Sequence, residues 1–134
     1  MTPHLLVAPI LIPLAAAAAM LLLPAKRRRW EGAIAIASCA LLLAVAAALA
    51  IAADTGGGAS VAYRLGGGPA WVAIVLVSDR LSALMLLLAA GLGLVTSVFA
   101  SGRWARLGPF FHPLSQFLLM GLNGAFLTGD LFNL

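Results

Sequence analysis

The chain has 134 residues, 63% of them hydrophobic and 9% charged, with a net charge of +4. A soluble domain carries about 25% charged residues, and a chain this short has no room for so much apolar surface in one soluble core. Nor is the charge a nucleic-acid footprint: four of the eight cations form one run, Lys26-Arg27-Arg28-Arg29, between two apolar stretches, with no basic face interleaved with aromatics.

These exclusions leave lipid as the solvent, where about 20 consecutive apolar residues cross the hydrocarbon as a helix. The first such stretch covers about residues 5–23 and contains Pro9 and Pro13, which membrane helices tolerate better than soluble ones. Positive charge follows this stretch instead of preceding it, which argues against a cleaved signal peptide. The second stretch, about residues 32–53, is uncharged and alanine-rich. It holds the single cysteine, Cys39, which has no partner for an intrachain disulfide and reads as a small packing residue.

Residues 54–78 change character. Gly56-Gly57-Gly58 breaks the helix, and two β-prone runs, Val61-Ala62-Tyr63-Arg64-Leu65 and Trp71 to Val77, flank Gly66-Gly67-Gly68-Pro69. That pattern reads as a hairpin or loop on the membrane surface; the alternative extends the next helix back to Trp71. The third helix is expected over about residues 79–100, with Ser78 or Asp79 as its cap. Arg103 and Arg106 lie in the link that follows. The fourth starts near Pro113 and runs over about residues 113–127. Thr128-Gly129-Asp130 reads as a turn, with Asp130 capping the start of a fifth helix at residues 130–134. The expectation is an all-α integral membrane domain of about four transmembrane helices, the N-terminal fragment of a longer protein. Six of the eight cations fall in the first and third links, which the positive-inside rule places in the cytoplasm. The N-terminus and the hairpin then face outward.

His112, Gln116 and Asn123 follow one another at i, i+4 and i+11, within one narrow face at about 100° per residue. Gly121, Gly124 and Ala125 fall on a broadly different face. The polar stripe has two readings: side chains that hold waters on a proton or ion path, or interhelical hydrogen bonds that fix packing. Packing is the plainer of the two. His112 is expected just before the helix, near the cytoplasmic interface, where histidine can shuttle protons but is more often simply an interfacial polar residue. Asp79 reads as a helix cap and Arg80 as a snorkelling anchor. No nucleotide loop, metal-ligand cluster or nucleophile motif occurs, so no catalytic, cofactor-binding or metal-ligating residue is assigned.

Residues 112–134, HPLSQFLLMGLNGAFLTGDLFNL, closely resemble the D-subunit family of Mrp-type monovalent cation/proton antiporters. Residues 74–84, IVLVSDRLSAL, and 5–14, LLVAPILIPL, are similar to it too. The family is homologous to the antiporter-like subunits of respiratory complex I. The resemblance implies a longer many-helix protein of the bacterial inner membrane, working beside other antiporter subunits. It implies exchange of sodium or another monovalent cation for protons, with no organic cofactor in this protein. The family's proton path uses a glutamate of the fifth helix and lysines of later helices. In the family that glutamate follows shortly after the GDLFNL motif, here residues 129–134, and the only lysine here is Lys26, so those residues map onto no position of this chain. The chain by itself is therefore expected not to exchange ions. Two competing functions share the pattern: a membrane subunit of a complex I-like quinone oxidoreductase or membrane hydrogenase, and a small structural membrane protein.

Overall fold

The computed structural model describes residues 6–24, 30–55, 61–64, 75–102, 108 and 110–128. Four helices form within them: α1 (Ala8–Leu22), α2 (Glu31–Thr55), α3 (Arg80–Gly102) and α4 (Phe111–Leu127), with strands β1 (Val61–Arg64) and β2 (Val75–Ser78) between α2 and α3. By length and composition, α2 and α3 are long and apolar enough to cross a membrane, while α1 is a shorter apolar helix. At 1.5 Å per residue, α1 is about 22 Å long and α4 about 25 Å.

The helix ends follow from local chemistry. Proline stands at the start of α1, where a missing N–H costs nothing. At the other end Leu23 turns extended, as a residue before proline must, and Pro24 follows it. Asp79 precedes α3 and accepts the Ser82 N–H on Oδ1 at 2.6 Å. Hydrogen bonding from that N–H holds the Asp79 carboxyl below its usual value of 3.8. Thr128 closes α4, its N–H and its hydroxyl both donating to the Gly124 carbonyl.

The strands pair antiparallel, with Val61 opposite Ser78 and Arg64 opposite Val75. Because 75–78 are strand, α3 does not reach back to Trp71; residues 65–74, the expected hairpin's turn among them, lie outside the described residues. Beside the ribbon, Arg80 pairs with Asp54 at 3.0 Å. Each charge sits at the end of its helix that the macrodipole disfavours, so the pairing offsets two small penalties and gives Arg80 a fixed partner where the sequence suggested a free anchor.

The helices close into a four-membered bundle, α2 packing most extensively on α3 and α1 on α4, with α1–α2 and α3–α4 contacts completing the ring. Its apolar interior includes Leu6, Ala46, Leu49, Leu86 and Leu127 in one cluster. Where helices cross closely, the residues are small: a Cβ on Gly93 of α3 would stand 2.8 Å from Leu119 of α4.

The distribution of polarity is inverted relative to a soluble protein. Leu84, Leu88, Leu92, Val95 and Phe99 form one outward face of α3, each more than half exposed. Glu31, Ser38, Ser97, His112, Gln116 and Asn123 are all buried. Water would reverse both sets; hydrocarbon favours this one, because polar groups in lipid turn to the bundle interior.

Candidate functional site: a polar seam inside the bundle

The three polar residues of α4 all face inward. His112 is 1% exposed, and Gln116 and Asn123 are fully buried. They lie on the helix's buried face together with Leu119 and Leu127. The glycines of the opposite face pack on nothing: a Cβ on Gly121 or Gly124 would meet no atom within 4 Å.

Gln116 is the hub. Its Oε1 accepts the Ser38 hydroxyl at 3.0 Å. Its Nε2 donates to the Ala35 carbonyl and approaches the Cys39 sulfur, both at 3.4 Å. Cys39 Sγ also lies 3.7 Å from Ser97 Oγ of α3, so one glutamine ties α4 to α2 and, through the thiol, to α3.

Asn123 works at the far end. Its Nδ2 donates to the Pro9 carbonyl of α1 at 2.8 Å. That carbonyl would ordinarily accept the N–H of residue 13, but residue 13 is proline and has none. The other side-chain atom, Oδ1, is buried without a hydrogen-bond partner among the described residues.

His112 occupies the near end. It lies within the first turn of α4 instead of ahead of it, because Pro113 falls where a helix needs no N–H donor. Its ring stands edge-on to Phe111 at 5.5 Å. A Cβ on Gly32 would lie 2.5 Å from Ser101 Oγ and 3.6 Å from His112 Nε2. The first turn of α2, the last turn of α3 and the first turn of α4 therefore meet at one point.

Beside that point is a residue that reading the sequence passed over. Glu31 is 1% exposed and opens α2. Starting the second helix at Gly32 attached Glu31 to the basic run before it. The spacing Glu31, Ala35, Ser38, Cys39 and Leu42, a helical face continuing upstream, could have revealed it. Ser97 and Ser101 share a face of α3 by the same rule. Asp130 lies outside the described residues, and Asp79 sits at the ribbon end, away from the seam. Among the described residues, no cluster of three or more His, Cys, Asp or Glu could hold a metal ion. The arrangement can order the helices through buried hydrogen bonds and can carry a proton on Glu31 or His112.

No family model matches the chain. It is 48% identical over 134 residues to a protein of Rhizobium meliloti (strain 1021) named as the probable D subunit of a K(+)/H(+) antiporter, the match covering 98% of this chain and 25% of that one. Over 72 residues it is 47% identical to the D subunit of the Na(+)/H(+) antiporter of Alkalihalophilus pseudofirmus and 44% identical to that of Bacillus subtilis, covering 52% of this chain and 15% of each. In structure it is similar to a chain of the Mrp complex from Dietzia sp. DQ12-45-1b, with a TM-score of 0.79 and 32% identity, covering 99% of this chain and 24% of that one. The chain thus spans about a quarter, or less, of the length of the proteins it matches. Over 98% of its length the chain is a homologue of one antiporter D subunit, and over about half of it of two more, corresponding in each case to one part of that protein.

Proposed function

We propose that this chain is the N-terminal part of the D subunit of a multi-subunit monovalent cation/proton antiporter in a bacterial plasma membrane. The observation that carries the reading is 48% identity sustained over 98% of the chain to one such D subunit. The polar-in, apolar-out bundle supports it, since such a polarity pattern belongs to a membrane interior. All four helices cross the bilayer in this reading, the shorter α1 and α4 accommodated by local thinning or flanking residues. Lys26 to Arg29, Arg103 and Arg106 lie on the cytoplasmic side, and the N-terminus and the β1–β2 ribbon lie outside. The other antiporter subunits are its partners, and protons and sodium or potassium its substrates.

Within that protein the segment supplies scaffold, not exchange chemistry, because the seam is mostly neutral amide, hydroxyl and thiol groups. The test has two parts. The coding frame should continue past the codon of Leu134 into further apolar helices. The complete protein, expressed with its neighbouring subunits in antiporter-deficient cells, should give everted vesicles in which added Na+ or K+ collapses a preformed pH gradient. A frame that closes at Leu134, or vesicles indifferent to both cations, overturns the proposal.

A further inference from the structure

We propose that Arg80 and Asp54 form the headgroup site of an ethanolamine phospholipid, the guanidinium taking the phosphate and the carboxylate the ammonium. The proposal rests on the reading of the chain as membrane-spanning. The two charges stand at one level of the bundle. The apolar spans of α2 and α3 cover Glu31–Asp54 and Arg80–Gly102, so one ends and the other begins on a member of the pair, where hydrocarbon gives way to headgroups. The charges meet at 3.0 Å with side chains 62% and 77% exposed. Ala50, Ile51 and Leu84 line an open groove beside them. Leu88, four residues on from Leu84 and on the same face, extends the apolar wall down the bundle, and Ile51, Leu84 and Leu88 are each more than half exposed. A dipolar rim above an apolar track matches one phospholipid, headgroup above and acyl chain below.

Fold stability does not account for the pair. An ion pair this exposed adds little, and each charge opposes the macrodipole of its own helix. A bound zwitterion reverses the sign at both ends: its phosphate comes to Arg80 at the start of α3, and its ammonium to Asp54 at the end of α2. Each charge then exchanges one partner for another of the same sign, and no bond forms or breaks. The headgroup class follows from the donors. An ethanolamine ammonium carries three N–H groups and can donate to the Asp54 carboxylate. A choline headgroup has the same phosphate, but its quaternary nitrogen has no N–H to offer. A glycerol headgroup has no cation, so once Arg80 takes its phosphate, Asp54 is left without a partner.

The test is native mass spectrometry of the chain released from nanodiscs that hold equal parts of phosphatidylethanolamine, phosphatidylcholine and phosphatidylglycerol with the same acyl chains. The chain is expected to retain the ethanolamine lipid over either of the others by about threefold or more, the scale of one charge-assisted contact at a surface. Asp54→Asn is expected to abolish the preference for ethanolamine over choline, and Arg80→Gln to lower retention of all three. Exchanging the ethanolamine lipid for its N-methyl and N,N-dimethyl forms should lower retention stepwise in the unaltered chain, so the Asp54 contact is read even if a variant does not fold. Equal retention of ethanolamine and choline lipids, or a preference unmoved in Asp54→Asn, overturns the proposal. Excess soluble glycerophosphoethanolamine should leave the lipid in place; displacement by it would show a site for the free phosphate and ammonium and overturn the assignment to a phospholipid. A chain that does not enter nanodiscs at all overturns the membrane reading, and the site with it.

Discussion

The side-chain amide of Asn123 donates to the Pro9 carbonyl at 2.8 Å across 114 residues of sequence. It takes the place of the backbone N–H that Pro13 lacks. The bond is thus a repair of α1 by α4, and a double-mutant cycle exposes it. Asn123→Leu alone is expected to destabilise the bundle by about 1 kcal/mol, the net value of a buried hydrogen bond. In a Pro13→Ala background the helix satisfies Pro9 itself, and the same substitution should cost clearly less. Unfolding of the chain in bicelles measures both.

Gln116 and Ser38 make a second cycle. Gln116→Leu strands the buried Ser38 hydroxyl and frees the Ala35 carbonyl, at an expected cost of about 1–3 kcal/mol. Adding Ser38→Ala removes the stranded donor and should recover part of that loss. Equal stability of the single and double variants would show that the hydroxyl had found another acceptor.

Two glycines predict opposite signs. A Cβ on Gly32 would stand 2.5 Å from Ser101 Oγ and 3.2 Å from its Cβ, whereas one on Gly91 would meet nothing within 4 Å. Gly32→Ala is expected to lower the melting temperature by pushing α2 from α3. Gly91→Ala is expected to raise it, helix propensity contributing about 0.5 kcal/mol.

Asp79 predicts a pH dependence. Its carboxyl is held below the usual value of 3.8, chiefly by the Ser82 N–H. A depressed folded-state value stabilises the fold at pH above the ordinary one, and that stability is lost as pH falls through the lowered value. Asp79→Ala is expected to cost about 1 kcal/mol at neutral pH as a lost cap. The difference between wild type and variant should shrink below about pH 4. Paired thermal melts at neutral and acid pH check the sign.

The inward face of α4 was legible in the sequence because helical geometry alone fixes the angles between His112, Gln116 and Asn123. Their partners were not. Ser38 and Pro9 are chosen by tertiary register, which no local pattern encodes. Pro13 announces an orphaned carbonyl at Pro9, but not which helix will serve it. Glu31 was hidden by its neighbours: a lone acid after four cations reads as part of a charged link, and only the packing of α2 against Ser101 and His112 shows it inside. The strands were visible as β-branched runs, while their register, Val61 opposite Ser78 and Arg64 opposite Val75, is set by pairing that no local pattern encodes.

Making α1 depend on a donor so far along the chain has a consequence in time. At roughly 5–20 residues per second, synthesis takes about 6–23 s to pass from Pro9 to Asn123. Until then α1 holds a carbonyl its own helix cannot serve. The first helix is therefore provisional, and the arrival of the fourth completes it.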